Sequence, residues 1–263
     1  MISCCSDSAL ILFSASLTLL FVAAAHVHAL APSEEKAGAT ATFTFPELNN
    51  NNDNYSWGSK DRRQLRLPYH HVYNALLTTN NGTQVQVLFN VEPGHLIIDG
   101  TTYTFKQMHW HTPSEHRFDA VQYAAELHQV YVAPDGSRAA VAMLYKYGKP
   151  DPLLTMLKPE LDEICKHATC ELEGEETQVQ VVIPKFSSKL LRKRSRRYYR
   201  YPGSLTTPPY DQNVIWNVLA KVKTISKDQV EALKAPLCGP NKVMNSRPTQ
   251  PLNGRIVQYY HGN

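Results

Sequence analysis

A mainly β fold in a single domain is what this sequence predicts. Short stretches of alternating apolar and polar residues recur after Gln64, punctuated by many of the chain's 17 prolines. Such runs, bounded by turn residues, mark strands. No repeat and no long linker divides that region, and 263 residues with 43% hydrophobic content can bury one large core. Three strand patterns follow one another between Tyr103 and Tyr147, and consecutive strands with short connections favour an antiparallel meander.

Taken in order, residues 1–31 read as a secretory signal. Ala9 to Ala25 is strongly apolar but short for a membrane span, and Ala29-Leu30-Ala31 offers a small-residue cleavage site. The expected destination is the secretory pathway and the extracellular space, with the chloroplast stroma as the alternative. No stable membrane span is expected. Residues 32–54 end in an asparagine-rich patch, Asn49 to Asn54, and are expected to be flexible. Asn54 and Asn81 each begin a glycosylation sequon.

His95-Leu96-Ile97-Ile98 and Tyr103 to His111 flank Asp99-Gly100, a two-residue hairpin signal. Tyr123 to Tyr131 and Ala139 to Tyr147 supply the next two strands. Leu153, Leu154, Leu157, Leu161 and Ile164 recur at helical spacing between Pro152 and Lys166, with Pro159 expected to kink or split the helix. Ser226-x-x-Gln229 opens a second helix, to Lys234, with a capping box.

The chemistry lies on the strands. His109 and His111 are two apart, so a strand points both to one face. Gln107 shares that face. On the next strand Glu126, His128 and Val130 share a face, and a meander could bring His128 beside the first pair. Three imidazoles with a fourth position open are the donor set of a catalytic zinc. Gln107 and Glu126 are placed to accept the rings' second N–H groups and fix their tautomers.

Three motifs then resemble the α-type carbonic anhydrases, in a version similar to the plant members. They are Gln107-Met108-His109-Trp110-His111-Thr112-Pro113-Ser114-Glu115-His116, Tyr123-Ala124-Ala125-Glu126-Leu127-His128, and Tyr201-Pro202-Gly203-Ser204-Leu205-Thr206-Thr207-Pro208-Pro209. Asn245-Ser246-Arg247-Pro248-Thr249-Gln250-Pro251 resembles the family's C-terminal signature. The resemblance implies a domain over 55–261, built on a large central antiparallel β-sheet with a few short peripheral helices. It implies zinc as cofactor, held by His109, His111 and His128, and reversible hydration of carbon dioxide to bicarbonate. Thr206 would orient the hydroxide nucleophile, Glu115 would accept the threonine's hydroxyl, and Thr207 would line the polar wall. Val130, Ala140, Leu205, Val214 and Trp216 would form the apolar seat for CO₂. His116 matches a structural histidine, and Gln107 and Glu126 match the partners of the zinc ligands.

The chain departs from the family pattern in three places. Thr83 stands where the family places its proton-shuttling histidine, and threonine cannot carry a proton near neutral pH. Export from a group of pKa ~7 straight to water costs ~12 kcal/mol and caps turnover near ~10⁴ per second without buffer. Second, Tyr55-Ser56-Trp57-Gly58 runs almost directly into the Gln64 region, so part of the family's N-terminal region is missing. Unpaired sheet edges and exposed apolar surface are the expected consequences. Third, Tyr210 occupies the place of a cysteine that extracellular members bridge to that missing segment. Cys165 and Cys170 could pair locally instead, leaving Cys238 single, or all three could be thiols.

A net charge of +4 argues against a nucleic-acid partner. The one basic cluster, Arg192 to Arg197 with Arg200, reads as a solvated loop or edge strand, and Tyr198 and Tyr199 as part of the strand entering Tyr201. The expected partners are CO₂ and bicarbonate, and no signal of oligomeric state is present. Two readings compete with the enzyme. One is a non-enzymatic storage or binding protein on the same fold, although such relatives typically lose a zinc histidine and none is lost here. The other is a truncated, inactive product.

Overall fold

The computed structural model describes residues 71–80, 82–168, 179–191 and 197–261, with short strands at 44–45 and 55–57. The signal segment, the asparagine-rich patch, Asn54, Asn81, Cys170, the Gly58–Gln64 junction and residues 192–196 of the basic cluster lie outside the described residues.

The first strands are β1 (Thr44–Phe45), β2 (Tyr55–Trp57), β3 (His71–Thr78), β4 (Gln86–Leu88), β5 (His95–Ile98) and β6 (Thr101–His111). Next come β7 (Arg117–Phe118), β8 (Val121–Gln122), β9 (Ala125–Val132) and β10 (Arg138–Tyr147). Helices α1 (Pro152–Met156) and α2 (Lys158–His167) lead to β11 (Gln180–Ser187), β12 (Arg197–Ser204), β13 (Gln212–Leu219) and β14 (Lys223–Ile225). Helix α3 (Lys227–Lys234) and β15 (Val257–His261) close the chain.

One 12-stranded sheet dominates, ordered β11-β3-β4-β6-β9-β10-β13-β12-β15-β2, with β5 beside β6 and β14 beside β10. Its centre, β6–β9–β10, is the expected antiparallel meander. The large sheet, expected to be antiparallel, is mixed: β10 pairs in parallel with both β13 and β14, and β15 with β2. Parallel neighbours need a long crossover, and between β10 and β13 the chain supplies one through α1, α2, β11 and β12.

Local chemistry explains the elements. Asp99 (φ 48°) and Gly100 (φ 85°) both turn left-handed, the geometry of a two-residue hairpin, and set His95 opposite Thr104. Asp151 caps α1, accepting from the Leu153 and Leu154 N–H groups at 2.9 and 3.3 Å, a device worth ~1 kcal/mol. The helix splits at Leu157, and Pro159 sits in the first turn of α2, where its absent N–H costs nothing. The Ser226–Gln229 capping box forms at α3. The Gln229 side chain also exchanges hydrogen bonds with the Asp151 backbone at 2.8 and 2.9 Å, joining the two helix starts.

The sheet buries both faces. Met108, Trp110, Leu127 and Met143 pack on one side against Leu153, Leu161, Ile164, Val230 and Leu233 of the helices. Ala140, Ala142, Tyr199, Tyr201, Val214 and Trp216 form a smaller apolar cluster, with Leu205 packed against it. Tyr73 on β3 and Val182 on β11 are 59% and 51% exposed.

Two sequence expectations are corrected. Cys165 is buried, and Cys238, expected to be single, is disulfide-bonded. Spacing along the chain carries no information about which Cα atoms approach. Arg200 is not on a solvated loop or an edge strand. It is 6% exposed, on β12 between β13 and β15. Its Nε donates to Asn217 Oδ1 at 2.8 Å, and its guanidinium lies over Tyr260 at 4.9 Å.

Candidate metal centre

The centre is built where β6 changes phase. The β6–β9 register shifts between Phe105, opposite Tyr131, and Gln107, opposite Val130, so Lys106 is an extra residue. Alternation restarts beyond this bulge. Phe105 therefore shares a core with Met108 and Trp110, leaving the other face to Gln107, His109 and His111. The shifted register sets His109 opposite His128 and His111 opposite Glu126. These are the groupings expected from strand alternation.

His109, His111 and His128 each offer a ring nitrogen, and the three nitrogens lie within 4.8 Å of one another. All three residues are buried, at 7%, 1% and 1% exposure. The other nitrogen of each ring is spoken for. His109 Nδ1 donates to Gln107 Oε1 at 2.8 Å, His111 Nδ1 to the Asn245 carbonyl at 2.9 Å, and His128 Nε2 to Glu126 Oε1 at 2.8 Å. Each partner is an oxygen acceptor, so each pairing puts the proton there and leaves Nε2, Nε2 and Nδ1 as lone pairs. His111 Nε2 is buried with no hydrogen-bond partner. Three neutral imidazole lone pairs converging on one point, one of them orphaned, fit a zinc ion with a fourth position open.

Electrostatics favour that state at two ligands. Burial, reinforced by His111 and His128, holds His109 well below the ordinary imidazole pKa. Burial likewise lowers His111, against the pull of Glu115. Burial also opposes charge on His128, but Glu126 and Glu115 outweigh it and the net direction is upward.

Glu126 is the hub behind the site. Burial opposes its charge, yet His116 and His128 together hold the carboxyl well below the usual carboxylate range. Oε2 accepts from the Glu115 and His116 N–H groups at 2.9 and 2.7 Å, and Oε1 from His128 and from His116 Nδ1. His116 Nε2 meets the Tyr201 hydroxyl at 2.6 Å. His116, Glu126 and His128 also cluster closely enough to suggest a metal, but their facing atoms already satisfy one another, so this is a hydrogen-bonded core.

Ala140 stands opposite Val130 on one side and Trp216 on the other, making one apolar row across three strands. Trp216 lies 4.7 Å from the His128 ring centre and is held by its Nε1–H to the Ser204 carbonyl at 2.9 Å. Val214 and Leu205 belong to the same apolar cluster. Thr206 is buried and Thr207 exposed. Glu115 is 1% exposed; its Oε1 accepts from the Arg247 N–H at 2.8 Å, and its Oε2 is buried with no hydrogen-bond partner, 3.9 Å from His128 Nδ1. Thr83 is exposed, and its carbonyl accepts from Asn245 Nδ2 at 3.1 Å.

Sequence reasoning missed what Asn245 and Arg247 do. Asn245 fixes the His111 ring through its carbonyl, while its side chain bonds the Thr112 N–H and the carbonyls of Thr83 and Trp110. Its only signal in the sequence was membership of the C-terminal signature.

A family model described as eukaryotic-type carbonic anhydrase matches residues 52–261. Alpha carbonic anhydrase 7 of Arabidopsis thaliana is 39% identical over 181 residues, covering 69% of this chain and 62% of that protein. Dioscorin DB3L of Dioscorea polystachya is 35% identical over 181 residues, covering 69% and 63%. The chain thus spans less than two thirds of the length of these curated relatives. Among solved structures, dioscorin complexed with ascorbate superposes with a TM-score of 0.74 at 29% identity, covering 87% of this chain and 88% of that one. The Photobacterium profundum alpha-carbonic anhydrase gives 0.66 at 30% identity, covering 86% and 90%.

Proposed function

This chain belongs to the eukaryotic-type carbonic anhydrase family, and on that premise we propose that it is a zinc lyase interconverting carbon dioxide and bicarbonate. The observation that carries this is the convergence of three histidine nitrogens within 4.8 Å, with the second nitrogen of each ring held by its own acceptor. His109 and His111 would hold the ion through Nε2 and His128 through Nδ1. When bound, zinc supplies a Lewis acid that brings a coordinated water to a pKa of about 7, a property for which carbonic anhydrases are the reference case.

The chain's own groups do the rest. Gln107, the Asn245 carbonyl and Glu126 hold the ligand rings in the required tautomers. Glu115 Oε2, buried and with no hydrogen-bond partner, supplies the acceptor to which the Thr206 hydroxyl donates, turning the threonine's lone pairs toward the attacking oxygen. The Thr206 N–H polarises a CO₂ oxygen, and Thr207 lines the polar wall. Val130, Ala140, Leu205, Val214 and Trp216 give apolar CO₂ a seat that water does not compete for. Thr83 leaves the proton to buffer. Small activated esters are a second substrate class for the same nucleophile. Entry to the secretory pathway and glycosylation at Asn54 and Asn81 complete the proposal.

The relatives include dioscorins, one solved with ascorbate bound, which favours a second reading: small-molecule binding without turnover. Measuring zinc content and CO₂ hydration on the expressed chain separates the two. Stoichiometric zinc with buffer-enhanced hydration supports the enzyme; stoichiometric zinc without hydration rejects it.

A further inference from the structure

We propose that Arg247 and Tyr210 form a positioning pair that fixes the Glu115 carboxylate relative to the Thr206–Thr207 turn. Three hydrogen bonds and one ring contact make the connection. The Arg247 N–H donates to Glu115 Oε1 at 2.8 Å. The Arg247 guanidinium carbon lies 3.7 Å from the centre of the Tyr210 ring, well inside the ~6 Å reach of a cation–π contact. The Tyr210 N–H donates to the Thr207 carbonyl at 2.9 Å, and the Leu205 N–H to the Asp211 carbonyl at 2.8 Å, closing the turn that carries Thr206.

Two details say that the ring contact holds this geometry. Arg247 Nη1 is buried and has no hydrogen-bond partner, so at that nitrogen no bond competes with the ring for the guanidinium. Tyr210 sits at φ 61°, a left-handed conformation that a bulky residue keeps only when its surroundings hold it. Glu115 comes from the loop after β6, Arg247 from the segment before β15, and Tyr210 from the β12–β13 connection, so the pair and its carboxylate join three separate parts of the chain.

The catalytic side of this inference rests on the carbonic anhydrase reading; the positional side does not, and the test separates them. On the full, metal-free chain, amide hydrogen exchange at Arg247 reports the Glu115 bond. Tyr210→Leu should speed that exchange roughly tenfold, whereas Tyr210→Phe, which keeps the ring face, should leave it protected. Arg247→Met, which keeps the tyrosine, must lose protection at the same amide. On the zinc-loaded chain, Tyr210→Leu should lower kcat/KM about tenfold at unchanged zinc content. The double variant should be no worse than either single. Unchanged exchange in Tyr210→Leu, or single-variant losses that multiply in the double, overturns the pair. If the native chain binds zinc but does not hydrate CO₂, the enzyme reading fails and the exchange result alone decides the pair.

Discussion

His109 and His128 face each other directly across β6 and β9, with ring centres 5.2 Å apart. Directly opposite residues of an antiparallel pair stand close enough for their side chains to meet, so no loop has to bring the two rings together. Alternation returns His111 to the same face, its ring centre 4.7 Å from that of His128. A site held by strand pairing is preorganised before any ligand arrives.

His128→Ala therefore tests the centre most directly. It leaves His109 and His111 in place with only two nitrogens for an ion that takes four donors. Metal analysis should find most of the zinc gone. Hydration should fall by more than the ~10–100-fold typical of losing only a ligand's hydrogen-bonding partner. Native zinc content and native turnover would reject the site.

Glu126→Ala probes the support behind the ligands. This carboxylate is buried and accepts four hydrogen bonds, two from backbone N–H groups and two from histidines. Removing it strands all four donors, and each buried donor left unsatisfied costs ~1–3 kcal/mol. Denaturant unfolding of the metal-free chain should show that loss. Glu126→Gln, which keeps the shape and one acceptor oxygen, should lose less stability while still weakening zinc binding ~10–100-fold against a competing chelator. A stable Glu126→Ala variant would mean the network is not a structural hub.

What the sequence made legible follows period. The His109–His111 face, the partner roles of Gln107 and Glu126, the Asp99-Gly100 turn and the Ser226 cap are all local, set by neighbours two or three residues away. What it hid is long-range or phase-breaking. The Asn245 carbonyl that fixes His111 comes from a loop 134 residues later, and loops carry no periodicity to read. The extra residue at Lys106 breaks the alternation that a strand pattern assumes. Parallel pairing of β10 with β13 depends on where the chain returns, not on either strand's own pattern. The Cys238 disulfide was hidden for the same reason, since distance in sequence says little about distance in space.

Zinc removal gives a test that needs no substrate. An ion that binds only the folded chain stabilises it by an amount set by its free concentration, ~2.7 kcal/mol at one hundred times Kd. Chelated protein should melt at a lower temperature, and titrating zinc back should raise the midpoint progressively. The His128→Ala variant should show little of this response. Equal midpoints with and without zinc would show that the triad does not hold the ion.

Thr83→His examines the proton's way out. Position 83 is exposed, and its carbonyl is tied to Asn245, the residue whose own carbonyl holds His111. A side chain there stands on the loop joined to the ligand set but free to meet solvent. Threonine exchanges no proton near neutral pH, and a proton released straight to water meets a ceiling near ~10⁴ per second. Native turnover should therefore rise steeply with buffer concentration. Thr83→His should raise kcat several-fold in weak buffer, leave KM for CO₂ unchanged, and lose its advantage in concentrated buffer, where the exogenous base takes over. No gain at any buffer concentration would mean that another group already carries the proton, or that proton export does not limit turnover.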